Sequence, residues 1–321
     1  MATKKTAAKK PAGKTVGKPG GRPPGAPVVR KATARDWISG ARLRTLPLGI
    51  APVALGTASA HIVGAEVWHE YRAILCLIVA VAIQIAVNYA NDYSDGIRGT
   101  DKHRVGPSRL TGSGAAKPRT VLTVALVFFA IAAVAGVALV IVSGFYWLLA
   151  VGAACILAGW FYTGGKRPYG YAGLGEIFVF VFFGLVATIG TTFVQVGIVN
   201  FESLLSGIAI GFIACAVLMV NNIRDIEPDK LAGKRTLAVR LGQRASRIVF
   251  VVFLAIPYVI LAYFLLLYTY GGYVYFTLLI AAPAMLITLT AKTPKELILS
   301  LQLTSLTALL YGLGLAAAIA F

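Results

Sequence analysis

The sequence predicts an all-α, polytopic membrane protein, and three observations carry that prediction. Apolar residues make up 58% of the chain and charged ones 13%, too few charges to clothe a soluble core of this size. Apolar runs of about twenty residues recur along it, the length a helix needs to cross hydrocarbon. The ten-residue alternating segments of a membrane β-barrel are missing from the sequence.

Taken in order, residues 1–35 are Lys, Ala, Gly and Pro with almost no large apolar side chain. Such a segment buries too little surface to offset its ordering entropy, so a disordered basic tail is expected. It lacks the apolar stretch of a secretory signal, and anionic lipid is its natural partner. The apolar runs then fall at 46–65, 72–91, 120–142, 146–164, 174–194, 203–221, 247–268, 273–290 and 298–320. One domain of nine membrane helices over 36–321 is therefore expected, bundled around a cavity open to the cytoplasmic side.

Charge sets the orientation. With the N-terminus inside, all Lys and Arg except Arg72 fall in the tail or in inside connections, as the positive-inside rule demands. The N-terminus is then expected to be cytoplasmic, Phe321 on the outer side, and the host a cell inner or plasma membrane. Trp68, Tyr71, Tyr146, Trp147, Tyr268, Tyr270 and Tyr273 fall at the outer interface as an aromatic belt. The net charge of +18 thus reads as membrane topology, and no nucleic-acid partner is expected. Cys76, Cys155 and Cys215 each sit alone in an apolar run and read as small core residues. His61, His69 and His103 lack metal-site spacing.

Two stretches break the apolar pattern. One runs from Asn88 to Asp101 at the cytoplasmic end of the second run, the other from Asn221 to Asp229 at that of the sixth. Together they hold Asp92, Asp95, Asp101, Asp225, Glu227 and Asp229, half of the twelve acids in the chain. On a helix Asn88, Asp92 and Asp95 share one stripe. Asn91 and Asp95 have the spacing of Asn221 and Asp225, and four runs separate the two stretches, a weak internal repeat. Clustered carboxylates repel unless protons or cations intervene. Asp225 and Asp229 stand about 6 Å apart along a helix axis, a separation that suits Mg²⁺ shared with phosphate oxygens. Around them stand Arg98, Lys102, Arg104, Arg109, Arg224, Lys230, Lys234 and Arg235, so acids for metal interleave with bases for phosphate. Positive-inside determinants and solvated ion pairs would give the same charges. Asn88 lies inside an apolar run, where a polar residue points to function, and Gln84 one turn earlier reads equally as a helix–helix hydrogen bond.

A third patch runs from Tyr162 to Glu176, with Lys166 in reach of a phosphate and glycines that admit a ligand to the backbone. Glu176 reads either as a site residue or as a carboxylate at a helix start. A fourth, Ala41 to Pro47, holds Arg44, which either pairs with an acceptor's carboxylate or marks the inside edge.

These four segments, with Gly106 to Leu110 and Gly233 to Gly242, resemble the UbiA-type intramembrane aromatic prenyltransferases, within them the branch that acts on 1,4-dihydroxy-2-naphthoate in menaquinone synthesis. The resemblance covers about 36–321. It departs from the superfamily pattern at Gly99, where a second acid usually follows Asp95 by four; here the next acid is Asp101. The resemblance implies Mg²⁺-dependent transfer of a polyprenyl group from polyprenyl diphosphate to 1,4-dihydroxy-2-naphthoate, with decarboxylation, giving demethylmenaquinone. It implies Asp92, Asp95, Asp225 and Asp229 as catalytic acids, with Asn91, Asp95, Asp101, Asp225 and Asp229 on the metal. Arg109, Lys166, Arg224 and Lys234 would hold diphosphate, and Arg44 and Asn88 the acceptor. Two rival readings stand beside it: the same chemistry on another acceptor, such as 4-hydroxybenzoate, and a cation transporter. A transport path would need polar residues at several depths, whereas here they cluster at one edge.

Overall fold

The computed structural model describes residues 30–64, 69–100 and 109–321. Among these, every regular element is helical. A short helix α1 (Ala34–Gly40) leads through a 3₁₀ turn (Leu43–Thr45) into α2 (Pro47–His61). Then follow α3 (Glu70–Arg98), α4 (Pro118–Ser143), α5 (Leu148–Phe161) and α6 (Gly175–Val196). The chain continues as α7 (Phe201–Arg224), the short α8 (Ile226–Leu231), α9 (Leu237–Leu267), α10 (Leu278–Thr290, entered by a 3₁₀ stretch from Gly271) and α11 (Pro294–Ala320).

Among the described residues seven segments are long and apolar enough to cross a membrane: α3, α4, α6, α7, α9, Gly271–Thr290 and α11. The runs expected at 46–65 and 146–164 form shorter helices of 15 and 14 residues. At 1.5 Å per residue they reach only about 21–23 Å. The cause is local: α2 starts at Pro47 but already stops at His61, and turns at Tyr146–Trp147 and at Tyr162 bound α5. Conversely, α3 runs past its apolar part to Arg98, where Gly99 closes it in the left-handed conformation (φ 70°). The acidic stretch is thus helical through Asp95. Gly242 (φ 76°) breaks α9 near its start, so its membrane segment begins after that residue.

Helix α7 is the most enclosed of the seven. Its sequence explains this: Ser203, Ser206, Gly207, Ala209, Gly211, Ala214 and Ala216 give it little bulk, so neighbouring backbones approach closely. Gly184 of α6 rests on Gly207 and Gly211, where an added Cβ would lie 2.6 Å from the Gly211 Cα. One core joins α2, α7, α9, α10 and α11. A second joins α3 to α4 through Tyr89, Val121, Ala125 and Phe129, with Leu110 and Trp37 packed on it. A cavity of about 530 Å³ is walled by residues of α2 to α7. Along its wall Phe180–Val186 winds as a π-helix, an irregularity often found at functional sites.

The seam between α2 and α11 has no slack, since a Cβ on Gly312 would fall 2.4 Å from that of Ala51. Gly312→Val should therefore force the helices apart and destabilise the bundle by about 1–3 kcal/mol. Thermal unfolding in detergent micelles, read against wild type, checks this.

Candidate active site

The acids come together because three helix ends meet. Asp95 lies in the last turn of α3, Asp225 ends α7, and Asp229 sits one turn later on α8, its N–H donating to the Asp225 carbonyl at 2.8 Å. Asp95, Asp225 and Asp229 all line one small polar cavity of about 70 Å³. Lys234 joins its two sides: its Nζ stands 3.3 Å from Asp95 Oδ1 and 3.7 Å from Asp229 Oδ1. The two stretches therefore face one another across a shared hollow, as the sequence anticipates.

Each carboxylate has a buried cationic neighbour. Asp95 is 3% exposed; Tyr171 donates its hydroxyl to it at 2.5 Å and Arg109 Nη2 lies 3.3 Å away. Asp225 accepts two bonds from the adjacent Arg224, at 2.8 and 2.6 Å. Burial pushes the Asp229 carboxyl up to about 7, with Lys234 opposing and Asp225 and Asp95 assisting that rise. The Lys234 ammonium lies over the Tyr171 ring, 4.6 Å from its centroid, and burial beside Asp95 raises the Tyr171 phenol. Arg42 is drawn down to about 9, first by burial and then by Arg109, and so stays charged at neutral pH.

The remaining expected residues divide. Asn91 lines the polar cavity and accepts the Thr163 hydroxyl at 2.6 Å. Arg109 and Lys234 line it too, while Arg224, Arg44 and Asn88 line the large cavity. Lys166 is exposed and lines neither; Arg98 donates to the Thr163 and Gly165 carbonyls just before it. Asp92, expected as a catalytic acid, lines the large cavity but not the polar one. Its oxygens accept the Leu110 and Thr111 amides at 2.9 and 2.8 Å, the geometry of a loop anchor that holds Arg109 in place. Asn88 donates to the Ala41 carbonyl at 2.9 Å and to Thr45 Oγ1 at 3.3 Å, bracing the turn before α2. Glu176 accepts Asn222 Nδ2 at 3.0 Å and lies behind the polar cavity rather than in it. Asp101, with Lys102, His103 and Arg104, lies outside the described residues. Sequence reasoning missed Arg42, Tyr162 and Tyr171, although all three stand in the patches it singled out.

Among the described residues no three of His, Cys, Asp and Glu converge closely enough to cage a metal ion. Mg²⁺ does not need such a cage, because it takes one or two carboxylates and completes its shell with phosphate oxygens and water. The polar cavity offers the hard donors it prefers: Asp95, Asp225 and Asp229, with amide oxygens of Asn91, Asn221 and Asn222 nearby. Among the described residues no cysteine or histidine lines that cavity. The donor set fits Mg²⁺.

Residues 50–306 match the UbiA prenyltransferase family. The chain belongs to that family. It is similar to a 1,4-dihydroxy-2-naphthoate octaprenyltransferase from Mycobacterium tuberculosis, 49% identical over 297 residues that cover 90% of this chain and 98% of the relative. An Escherichia coli protein of the same name is 40% identical over 217 residues, covering 66% and 70%. Two solved UbiA homologues share the fold at 15% identity. The one from Aeropyrum pernix has a TM-score of 0.64 over 85% of this chain and 96% of its own. That from Archaeoglobus fulgidus, bound to GPP and Mg²⁺, has a TM-score of 0.59 over 88% and 99%. In this UbiA protein the cavities meet at one junction, lined on both sides by Arg42, Asn91, Arg109, Tyr162 and Asn221.

The loop anchor can be tested apart from chemistry. In Asp92→Asn one carbonyl oxygen remains to serve two buried amides, so stability should fall by about 1–3 kcal/mol. Denaturation of the purified variant measures it, and an unchanged midpoint would remove Asp92 from that role.

Proposed function

We propose that this chain transfers a polyprenyl group from polyprenyl diphosphate to 1,4-dihydroxy-2-naphthoate, releasing diphosphate and carbon dioxide. The observation that carries the reading is the junction itself: a polar hollow of acids and bases opens onto a long apolar cavity. A diphosphate with an isoprenoid tail has that same division, and the naphthoate relatives supply the acceptor. Bound Mg²⁺ would neutralise charge on the departing diphosphate, with Asp95, Asp225, Asp229 and Asn91 holding it.

The chain's own residues do the rest. Arg109, Arg224 and Lys234 meet the charge that grows on the leaving diphosphate, and they are in place beforehand. The apolar wall, with Phe178, Phe182 and Phe183 on α6, keeps water from the electron-poor allylic carbon. As the ring's carboxylate-bearing carbon bonds to it, the carbon–carboxylate bond breaks and its electron pair restores the aromatic ring. Carbon dioxide leaves where another aromatic substitution would lose a proton, so no ring base is required. The immediate product is the quinol; demethylmenaquinone lies two electrons above it. The distribution of Lys and Arg supports nine crossings of a cell inner or plasma membrane, with the N-terminus cytoplasmic, the C-terminus outside and the polar hollow on the cytoplasmic side. The composition of residues 1–35 supports reading them as a basic tail distinct from the domain over 36–321.

Purified protein in nanodiscs should convert 1,4-dihydroxy-2-naphthoate and a polyprenyl diphosphate to prenylated quinol, detected by mass spectrometry. Chelation should abolish turnover and Mg²⁺ restore it. Asp95→Ala and Asp225→Ala should each lower kcat/KM by about 10²-fold or more. Turnover confined to 4-hydroxybenzoate would move the acceptor, and cation flux without any transfer would reject the reading.

The raised Asp229 carboxyl adds a pH dependence. Below about 7 that acid is protonated and a cation must displace the proton. The Mg²⁺ concentration for half-maximal rate should therefore rise as pH falls from about 8 to about 6. Titrations of rate against Mg²⁺ at each pH read this directly.

A further inference from the structure

Of residues 233–242, only Lys234 and Thr236 line a cavity, yet Arg240 makes specific contacts just outside the polar hollow. It stands in the first turn of α9 with its side chain exposed to solvent. Its guanidinium nevertheless spans two loops. Nη2 donates to the Ala172 carbonyl at 2.7 Å and Nε to the Arg235 carbonyl at 3.2 Å. Beside this fork the Arg235 amide donates to the Tyr171 carbonyl at 2.8 Å. The two loops thus meet backbone to backbone, with the arginine laid across the seam. Gly173 shows how close the fit is. It is left-handed at φ 80°, and an added Cβ would lie 2.9 Å from both the Arg235 carbonyl oxygen and Arg240 Nε.

The groups that the two loops carry give the seam its meaning. One loop presents Tyr171, whose hydroxyl donates to Asp95 Oδ1, and the other presents Lys234, whose Nζ stands 3.3 Å from the same oxygen. The ammonium also lies over the Tyr171 ring, 4.6 Å from its centroid. Tyr171 sits in a 3₁₀ turn of four residues, and Lys234 between α8 and α9. Neither has a long helix of its own to fix it, so their placement against Asp95 depends on what holds the turns together. A planar guanidinium suits that task, because it serves two carbonyls at a fixed spacing where an ammonium is a point donor.

We propose that Arg240 is a positioning residue for the polar hollow: by joining the Tyr171 turn to the Lys234 turn, it sets the hydroxyl and the cation that face Asp95, and with them the grip on magnesium pyrophosphate. The proposal rests on the diphosphate reading above. Arg240 itself touches no substrate and acts through Lys234 and Tyr171. With the seam closed, those two groups are in place before a ligand arrives, and binding loses less freedom in ordering them.

Calorimetry on the full-length protein in nanodiscs would titrate inorganic pyrophosphate with Mg²⁺, and separately 1,4-dihydroxy-2-naphthoate. Arg240→Ala should weaken pyrophosphate binding by about fivefold to thirtyfold and leave the acid within about twofold of wild type. Its thermal midpoint should stay close to that of wild type, because the side chain is exposed. Arg240→Lys should recover only part of the loss. Gly173→Ala forces the seam apart with every charge kept, and should reproduce the loss. Arg244→Ala removes another exposed charge four residues on and should leave binding unchanged. In a Lys234→Ala background, Arg240→Ala should weaken binding by no more than about twofold further, since the ammonium it positions is gone. Wild-type affinity in Arg240→Ala would overturn the proposal, as would an equal loss in Arg244→Ala or an equal loss for the acid. Losses that add in full with Lys234→Ala would overturn it too, since they mark a merely structural role. Binding is read without turnover, so absence of prenyl transfer in wild type would defeat the function proposed above and leave this comparison intact.

Discussion

The structure depends on how ionised groups are kept at the edge of an apolar bundle. A lone buried carboxylate is unfavourable by several kcal/mol, and three of them sit around one small hollow. Lys234 resolves much of this by standing between Asp95 and Asp229, which belong to opposite halves of the fold. One ammonium thus ties the end of α3 to α8, and through it α7. Arg224 and Arg109 serve Asp225 and Asp95 in the same way. The charges that compensate the acids are also the ones that the proposed diphosphate would recruit.

Around that charged knot the apolar architecture is asymmetric. The core of α2, α7, α9, α10 and α11 is continuous and tightly fitted, with glycines and alanines at its helix contacts. The α3–α4 core is smaller, and the cavity lies between the two. Helix α7 is at once the most enclosed segment and the one that ends in Asp225. The second acidic stretch is thereby fixed to the most enclosed of the membrane-length helices.

Much of this was legible in the sequence, for reasons that are local. Helical spacing put Asn88, Asp92 and Asp95 on one stripe, and the apolar runs found the helices to within a turn or two. Spacing could not tell which stripe residue faces a ligand. Asp92 and Asp95 look equivalent until the loop of Leu110 and Thr111 docks on Asp92 and leaves Asp95 for the hollow. Spacing could not place Lys166 either: Arg98 bonds the Thr163 and Gly165 carbonyls just before it, and the lysine stands exposed, lining neither cavity. Arg42 was hidden more deeply. Its left-handed backbone (φ 54°) is imposed by Gln84, Asn88 and Thr45, which lie elsewhere on the chain or follow it, and no propensity of arginine predicts it.

The brevity of α2 and α5 has a consequence for the surrounding lipid. Both flank the cavity, and both fall short of a hydrocarbon layer about 30 Å thick by roughly a quarter. Helix α2 is mostly covered by its neighbours, so the mismatch falls on α5, beside which the bilayer would thin or the polar ends dip below the headgroup plane. Either way, water and headgroups would reach deeper along the α5 flank. A doubly charged lipid approaching from there would cross a shallower dielectric barrier before reaching the arginines.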